Sequence, residues 1–332
     1  YLGIEDDWKF LDPVQLLAEP CEELLRRFHA DIRYIALNPT FKPNNQSSFT
    51  DEFGITWNFQ DEQRNYMYIT NHPLANSSVT EIKNYSFENC NNQNLFCDTR
   101  KQALTKSQNS SFALSAPIGG SLLETCSNLR GVETWFIDTK ENPLLCETLL
   151  DKVLDYWLSF YTDLLKEIGD IADIVIIGDD LAGKNGPLFS LDFYRTLLKP
   201  RQKELIKNIK SLTNAKICYH TCGSCFEFIP DLIELGIDIL NPIQIGLKDM
   251  DPKKIKNEFG EHISLWGGAI NANQILSFSS PEQIRNEVKN NIEVFKSKSG
   301  YIFSNTHNIQ FDVPPENIVT VFDAAFEFSS CK

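Results

Sequence analysis

His220, Thr221 and Cys222 place an imidazole and a thiol two residues apart at the end of an apolar run. If the run is a strand that persists through Cys222, both side chains leave the same face and can share a ligand. Imidazole and thiolate are zinc ligands, and a catalytic zinc takes three protein groups and keeps one position open for substrate. His307, arriving from the last strand-like run, is the expected third ligand, and Cys225 offers a Cys222-x-x-Cys225 alternative. The plainer readings are a hydrogen-bonded histidine and a buried thiol. Asp179 and Asp180 directly follow another apolar run, so at least one is expected to hold a cationic group or accept a proton, against the alternative of helix capping. Asn241, Gln244, Trp266, Asn308 and Gln310 stand at or beyond further runs and are candidates for orienting a substrate.

These residues need elements that bring strand ends together. Residues 216–220, 237–241, 263–267 and 301–304 read as strands, each followed by a helix. The helices carry their own signals. Residues 225–235 stop at Gly236, Asp251 and Pro252 open a helix that Gly260 follows, Ser280, Pro281 and Gln283 form a capping box, and a last helix covers 315–328. Earlier, Pro143 starts a long helix with Leu145, Leu149, Val153, Trp157, Leu164 and Ile168 on one side, ended by Gly169 before a strand at 174–177. Residues 31–37 and 112–116 complete seven strands. Residues 12–28 read as a helix through Val14, Leu17, Cys21, Leu24, Leu25 and Phe28, and 40–110 as an insertion with a hairpin.

Alternating strands and helices mean a parallel sheet, either doubly wound or closed. Gly119-Gly120 and Gly267-Gly268 lack the G-x-G-x-x-G spacing of a dinucleotide-binding turn, so a TIM (β/α)8 barrel is expected. The whole chain, 1–332, is read as one domain, with an eighth strand expected upstream of Tyr1. A length of 332 residues and a composition 42% hydrophobic and 23% charged suit such a domain. A net charge of −14 argues against nucleic acid as a partner. The nine cysteines, odd in number and without a secretion signal, read as reduced thiols. No apolar run approaches the roughly 20 residues that cross a bilayer, so a cytoplasmic protein without membrane contact is expected.

The strand-end blocks are distinctive in combination: His220-Thr221-Cys222-Gly223-Ser224, Asp238 to Gln244, Trp266-Gly267-Gly268, His307-Asn308-Ile309-Gln310 and Val313-Pro314-Pro315-Glu316-Asn317, with Leu129-Arg130-Gly131 and Asp179-Asp180-Leu181. In this order they resemble the uroporphyrinogen decarboxylase superfamily over most of the chain. The resemblance implies a TIM barrel, and the superfamily holds both a haem-pathway decarboxylase and zinc-dependent methyltransferases that work with corrinoid proteins. The methyltransferase branch carries a His-x-Cys pair where this chain has His220 and Cys222, and a further cysteine near the last strand. This chain has Ser304-Asn305-Thr306-His307 there, and His307 looks like the decarboxylase's histidine.

The decarboxylase also uses an arginine-rich N-terminal strand, absent here, and an aspartate where this chain has Asn38. A substrate with eight carboxylates suits a chain of charge −14 poorly. The resemblance therefore implies zinc-dependent methyl transfer between a small methylated or thiol substrate and a corrinoid carried by a partner protein. Tetrapyrrole decarboxylation is the second expectation, and a non-catalytic barrel binding a corrinoid or partner protein the third.

Overall fold

The computed structural model describes residues 1–5, 10–12, 14–15, 17–37, 48–59, 67–87, 95–108, 111–297 and 300–329, so Asn38 lies outside the described residues. Seven strands form one sheet: β1 Ile32–Tyr34, β2 Ala113–Ser115, β3 Ile174–Gly178, β4 Lys216–His220, β5 Ile239–Ile243, β6 Ser264–Gly267 and β7 Tyr301–Ile302. Each pairs in parallel with its neighbour in the sequence. A doubly wound sheet reverses its strand order part-way, whereas this order runs monotonically, as in a curled TIM-like barrel.

The period of two along each strand splits the core. One set faces inward: Ile174, Cys218 and Ile239 are buried, with Ile32, Ala113, Ile176, Trp266 and Ile302 partly buried around them. The alternate set, including Leu114, Val175, Ile177, Ile217, Tyr219, Leu240 and Leu265, packs outward against the helices. There the 26-residue helix Pro143–Ile168 buries Leu145, Leu149, Val153, Trp157, Leu164 and Ile168, the stripe expected from its 3.6-residue spacing. Asp251 accepts from the Lys254 amide, and Ser280 and Gln283 close a capping box ahead of Pro281–Phe295.

Among the described residues β1 and β7 do not pair, while the first and last helices of the barrel touch. Helix Glu22–Arg27 meets helix Pro315–Ser329 through an Arg27–Asp323 ion pair at 2.7 Å. Just beyond the first helix, Phe28 stacks on Phe322 and His29 on Phe326, with ring centroids 4.4 and 3.8 Å apart. Both strands are shorter than the sequence pattern suggests, Ile32–Tyr34 within 31–37 and Tyr301–Ile302 within 301–304. The helix expected over 12–28 is not formed. Phe10–Asp12 pairs antiparallel with Leu17–Ala18, and helix begins only at Glu22. Pro20 explains this, because it disfavours helical backbone at Glu19.

Between β1 and β2 the chain builds a three-stranded antiparallel sheet from Ser48–Thr50, Thr56–Phe59 and Met67–Asn71, then helices Val79–Asn84 and Thr99–Ser107. Arg130 pins this excursion to the barrel. Its guanidinium donates to the Leu74 and Ser77 carbonyls and pairs with Asp138 at 2.7 Å. Among the described residues no helix is long and apolar enough to cross a membrane.

Candidate metal centre

Cys218, His220 and Cys222 share one parity, so the inward face of β4 leads from the buried interior to the strand's C-terminal end, where barrel enzymes place their chemistry. Room for His220 comes from the neighbouring strand β3. Gly178 pairs with it in the β3–β4 register, and a Cβ at Gly178 would lie 2.2 Å from the His220 carbonyl oxygen.

The segment after β4 is held at four consecutive amides. Thr221 N donates to the Asn241 carbonyl at 2.8 Å and Cys222 N to Asp180 Oδ1 at 2.8 Å. Gly223 N donates to Gln244 Oε1 at 2.7 Å and Ser224 N to the Gly183 carbonyl at 2.8 Å. Gly223 is required here: its φ is +89°, and a Cβ would lie 2.1 Å from the Ala182 carbonyl oxygen. Groups from β5 itself and from the segments beyond β3 and β5 thus fix the loop that carries Cys222.

Among the described residues, one trio of ligating side chains converges: Asp180, His220 and Cys222, whose donor atoms all lie within 4.8 Å of one another. Cys222 Sγ is 3.6 Å from His220 Nε2, and Asn241 Oδ1 engages the other ring nitrogen, Nδ1, at 2.8 Å. Tetrahedral zinc bonds of about 2.0–2.3 Å put neighbouring ligand atoms roughly 3.5 Å apart, so nitrogen and sulfur are spaced as a shared ion requires. Burial, reinforced by the Asp180 carboxylate, pushes the Cys222 thiol up to about 12. Without a cation the sulfur is therefore protonated at neutral pH. A bound metal would invert that balance.

The adjacent aspartates are used differently. Asp180 is exposed, whereas the Asp179 residue is 2% exposed and turns into the fold. Asp179 accepts from Ser121 Oγ at 2.8 Å and from the amides of Leu122, Leu123 and Glu124 at 3.0, 2.8 and 3.0 Å. It thus caps helix Leu122–Arg130 from another strand. Burial lifts its carboxyl to about 7, although the four donors favour the ionised form. Ser121 and Glu124, neither among the expected site residues, also belong here, and their Ser121-x-x-Glu124 spacing is the helix-start signal that marks them. Desolvation, followed by repulsion from Asp180, holds the Glu124 carboxyl above its usual range.

The other candidates lie outside the trio. Half-buried His307 follows β7, its Nδ1 3.4 Å from the Asn308 carbonyl. Cys225 is fully buried at the start of the turn Phe226–Phe228. Asn241 and Gln244 turn their side-chain oxygens to His220 and the Gly223 amide, and Trp266 is partly buried in the barrel interior. Asn308 donates to Gln15 at 3.0 Å, bridging the last strand-end segment to the N-terminal one, and Gln310 Nε2 lies 3.4 Å from the Asn308 carbonyl.

Known proteins give this architecture a family. A solved methyltransferase from Methanosarcina mazei superposes with a TM-score of 0.65 over 92% of this chain and 83% of its own, at 18% identity, a likeness of fold. Two curated proteins named uroporphyrinogen decarboxylase are similar in sequence. The one from Ruthia magnifica subsp. Calyptogena magnifica is 27% identical over 193 residues, 57% of this chain and 51% of its own. The one from Psychromonas ingrahamii is 29% identical over 192 residues, 56% and 49% respectively. The chain spans about half the length of the curated relatives it matches. The model of the Uroporphyrinogen decarboxylase (URO-D) family matches residues 48–328, and with most of the chain inside that match the protein belongs to this family.

Proposed function

We propose that the protein is a zinc-dependent methyltransferase that moves a methyl group between a small methylated or thiol substrate and a corrinoid on a partner protein. The observation that carries this reading is the convergence of Asp180, His220 and Cys222 on one point at the barrel mouth. Zinc held there supplies Lewis acidity, which lowers the pKa of a bound thiol or polarises a methyl-bearing heteroatom. In the protein, Asn241 orients the His220 ring and Asp180 sets the Cys222 backbone. His307, Asn308 and Gln310 belong to the segment after β7 on the same rim and are offered as substrate contacts. Four large apolar side chains, Ile118, Leu188, Phe278 and Phe311, stand exposed on the loops after β2, β3, β6 and β7. A rim of this kind suits a macromolecular carrier of the corrinoid.

The test supplies the zinc-loaded chain with methylcobalamin and a panel of small thiols, and follows demethylation by the corrinoid absorbance. Demethylation lost on chelation and restored by zinc supports the reading. Equal turnover by the metal-free chain sinks it.

The names of the curated relatives favour a second reading, decarboxylation of uroporphyrinogen. The net charge of −14 opposes it, because the mouth would have to gather several carboxylates. Chromatographic detection of coproporphyrinogen after incubation with uroporphyrinogen would establish it.

A further inference from the structure

We infer that Asn241 is a positioning residue that selects the tautomer of His220, and with it the nitrogen offered to the site. Its consequence for metal binding rests on the proposed metal centre, whereas its geometry does not. Asn241 Oδ1 lies 2.8 Å from His220 Nδ1, and an amide oxygen carries no proton, so the ring nitrogen is the donor. A neutral imidazole has one N–H. With that proton at Nδ1, Nε2 presents a bare lone pair, and Nε2 is the nitrogen 3.6 Å from Cys222 Sγ.

Neutral imidazole in water prefers the opposite tautomer, with its proton on Nε2, so the Asn241 oxygen works against the intrinsic preference of the ring. Its position is fixed by the fold. Asn241 pairs with His220 in the β4–β5 register, and its own carbonyl accepts from the Thr221 amide. Metal-bound histidines are commonly oriented by an acceptor on their second nitrogen, and loss of that acceptor weakens metal binding. Asn241 supplies such an acceptor without adding charge beside Asp180 and Cys222.

The test is nitrogen NMR of the metal-stripped, 15N-labelled chain at about pH 8, above the ordinary histidine range. The chain has five histidines, and a His220→Gln spectrum assigns the signal. The expected result is a proton on Nδ1 in the wild type and in Asn241→Asp, which keeps an acceptor, and a proton wholly or partly on Nε2 in Asn241→Leu. Zinc affinity should fall about 10- to 100-fold in Asn241→Leu and hold in Asn241→Asp. A wild-type ring protonated at Nε2 overturns the inference, and so does a folded Asn241→Leu chain that keeps the Nδ1 proton. The wild-type spectrum needs no variant, so a variant that fails to fold leaves the test intact. If the tautomers behave as expected while the wild type binds no zinc, the metal centre fails and the role of Asn241 stands.

Discussion

The Cys222 amide donates to Asp180 Oδ1 across 2.8 Å, so the carboxylate that converges with the thiol also anchors its backbone. Asp180→Asn separates the two roles, since an amide oxygen still accepts that hydrogen bond but a neutral amide is a poor zinc ligand. Zinc affinity should drop by at least about tenfold in Asp180→Asn and stay unchanged in His307→Ala, as read by competition with a chelator. A comparable loss in His307→Ala alone would transfer the third position to that histidine.

Gly178→Ala should damage site and fold together. The added methyl meets the His220 carbonyl oxygen at 2.2 Å, and strand backbone has little freedom to withdraw. Overpacking of this kind costs about 1–3 kcal/mol. Urea denaturation should register that loss, and zinc binding should weaken in the same variant. A variant of wild-type stability would mean that the β3–β4 spacing at Gly178 is looser than described.

Asp179 is expected to behave as a cap. Asp179→Ala leaves the amides of Leu122, Leu123 and Glu124 without their acceptor, and Ser121 Oγ with only Glu124 Oε2 at 3.3 Å. The cost should be about 2 kcal/mol, at the upper end for a cap because the site is buried. Zinc content should remain. A variant with normal stability and normal zinc but no turnover would instead assign Asp179 to the chemistry.

Acid sensitivity should trace in part to Asp231. Its burial would raise the carboxyl, but hydrogen bonds and charge from Arg195 and Lys199, at 2.9 and 2.7 Å, outweigh that and hold it below the usual range. The unfolded chain thus binds this proton more tightly than the folded one. The stabilisation is present above the unfolded value near 3.9 and is lost as pH falls through the lower folded value. Asp231→Asn should flatten that part of the stability–pH profile, measured by thermal melts. An unchanged profile would show that the pair contributes nothing.

What could be read from the sequence was local. The strand period of two places His220 and Cys222 on one face wherever the strand lies, and helix caps such as Asp251 and Ser280 act within four residues. What could not be read depended on distant neighbours. Whether Asp179 or Asp180 turns outward is decided by the helix beginning at Leu122, 57 residues earlier, whose amides claim Asp179. That Asn241 and Gln244 meet His220 and the Gly223 amide follows from the β4–β5 register and the turn beyond it. What surrounds His307 likewise depends on the path the chain takes after β7. The apolar spacing over 12–28 suggests a helix because periodicity alone gives no weight to Pro20.

The interior of the ring has a sheltered side and a wetter side. Its buried members, Ile174, Cys218 and Ile239, come from β3 to β5, whereas Ile32, Ala113, Trp266 and Ile302, from the strands toward the two ends of the described sheet, are only partly buried, with Ile176 the exception on β3. Asp180, His220, Cys222 and Asn241 all rise from the sheltered arc. Hydrogen exchange should therefore be asymmetric around the barrel, with amides of the less buried strands β1 and β7 trading protons before those of the wall that carries the trio.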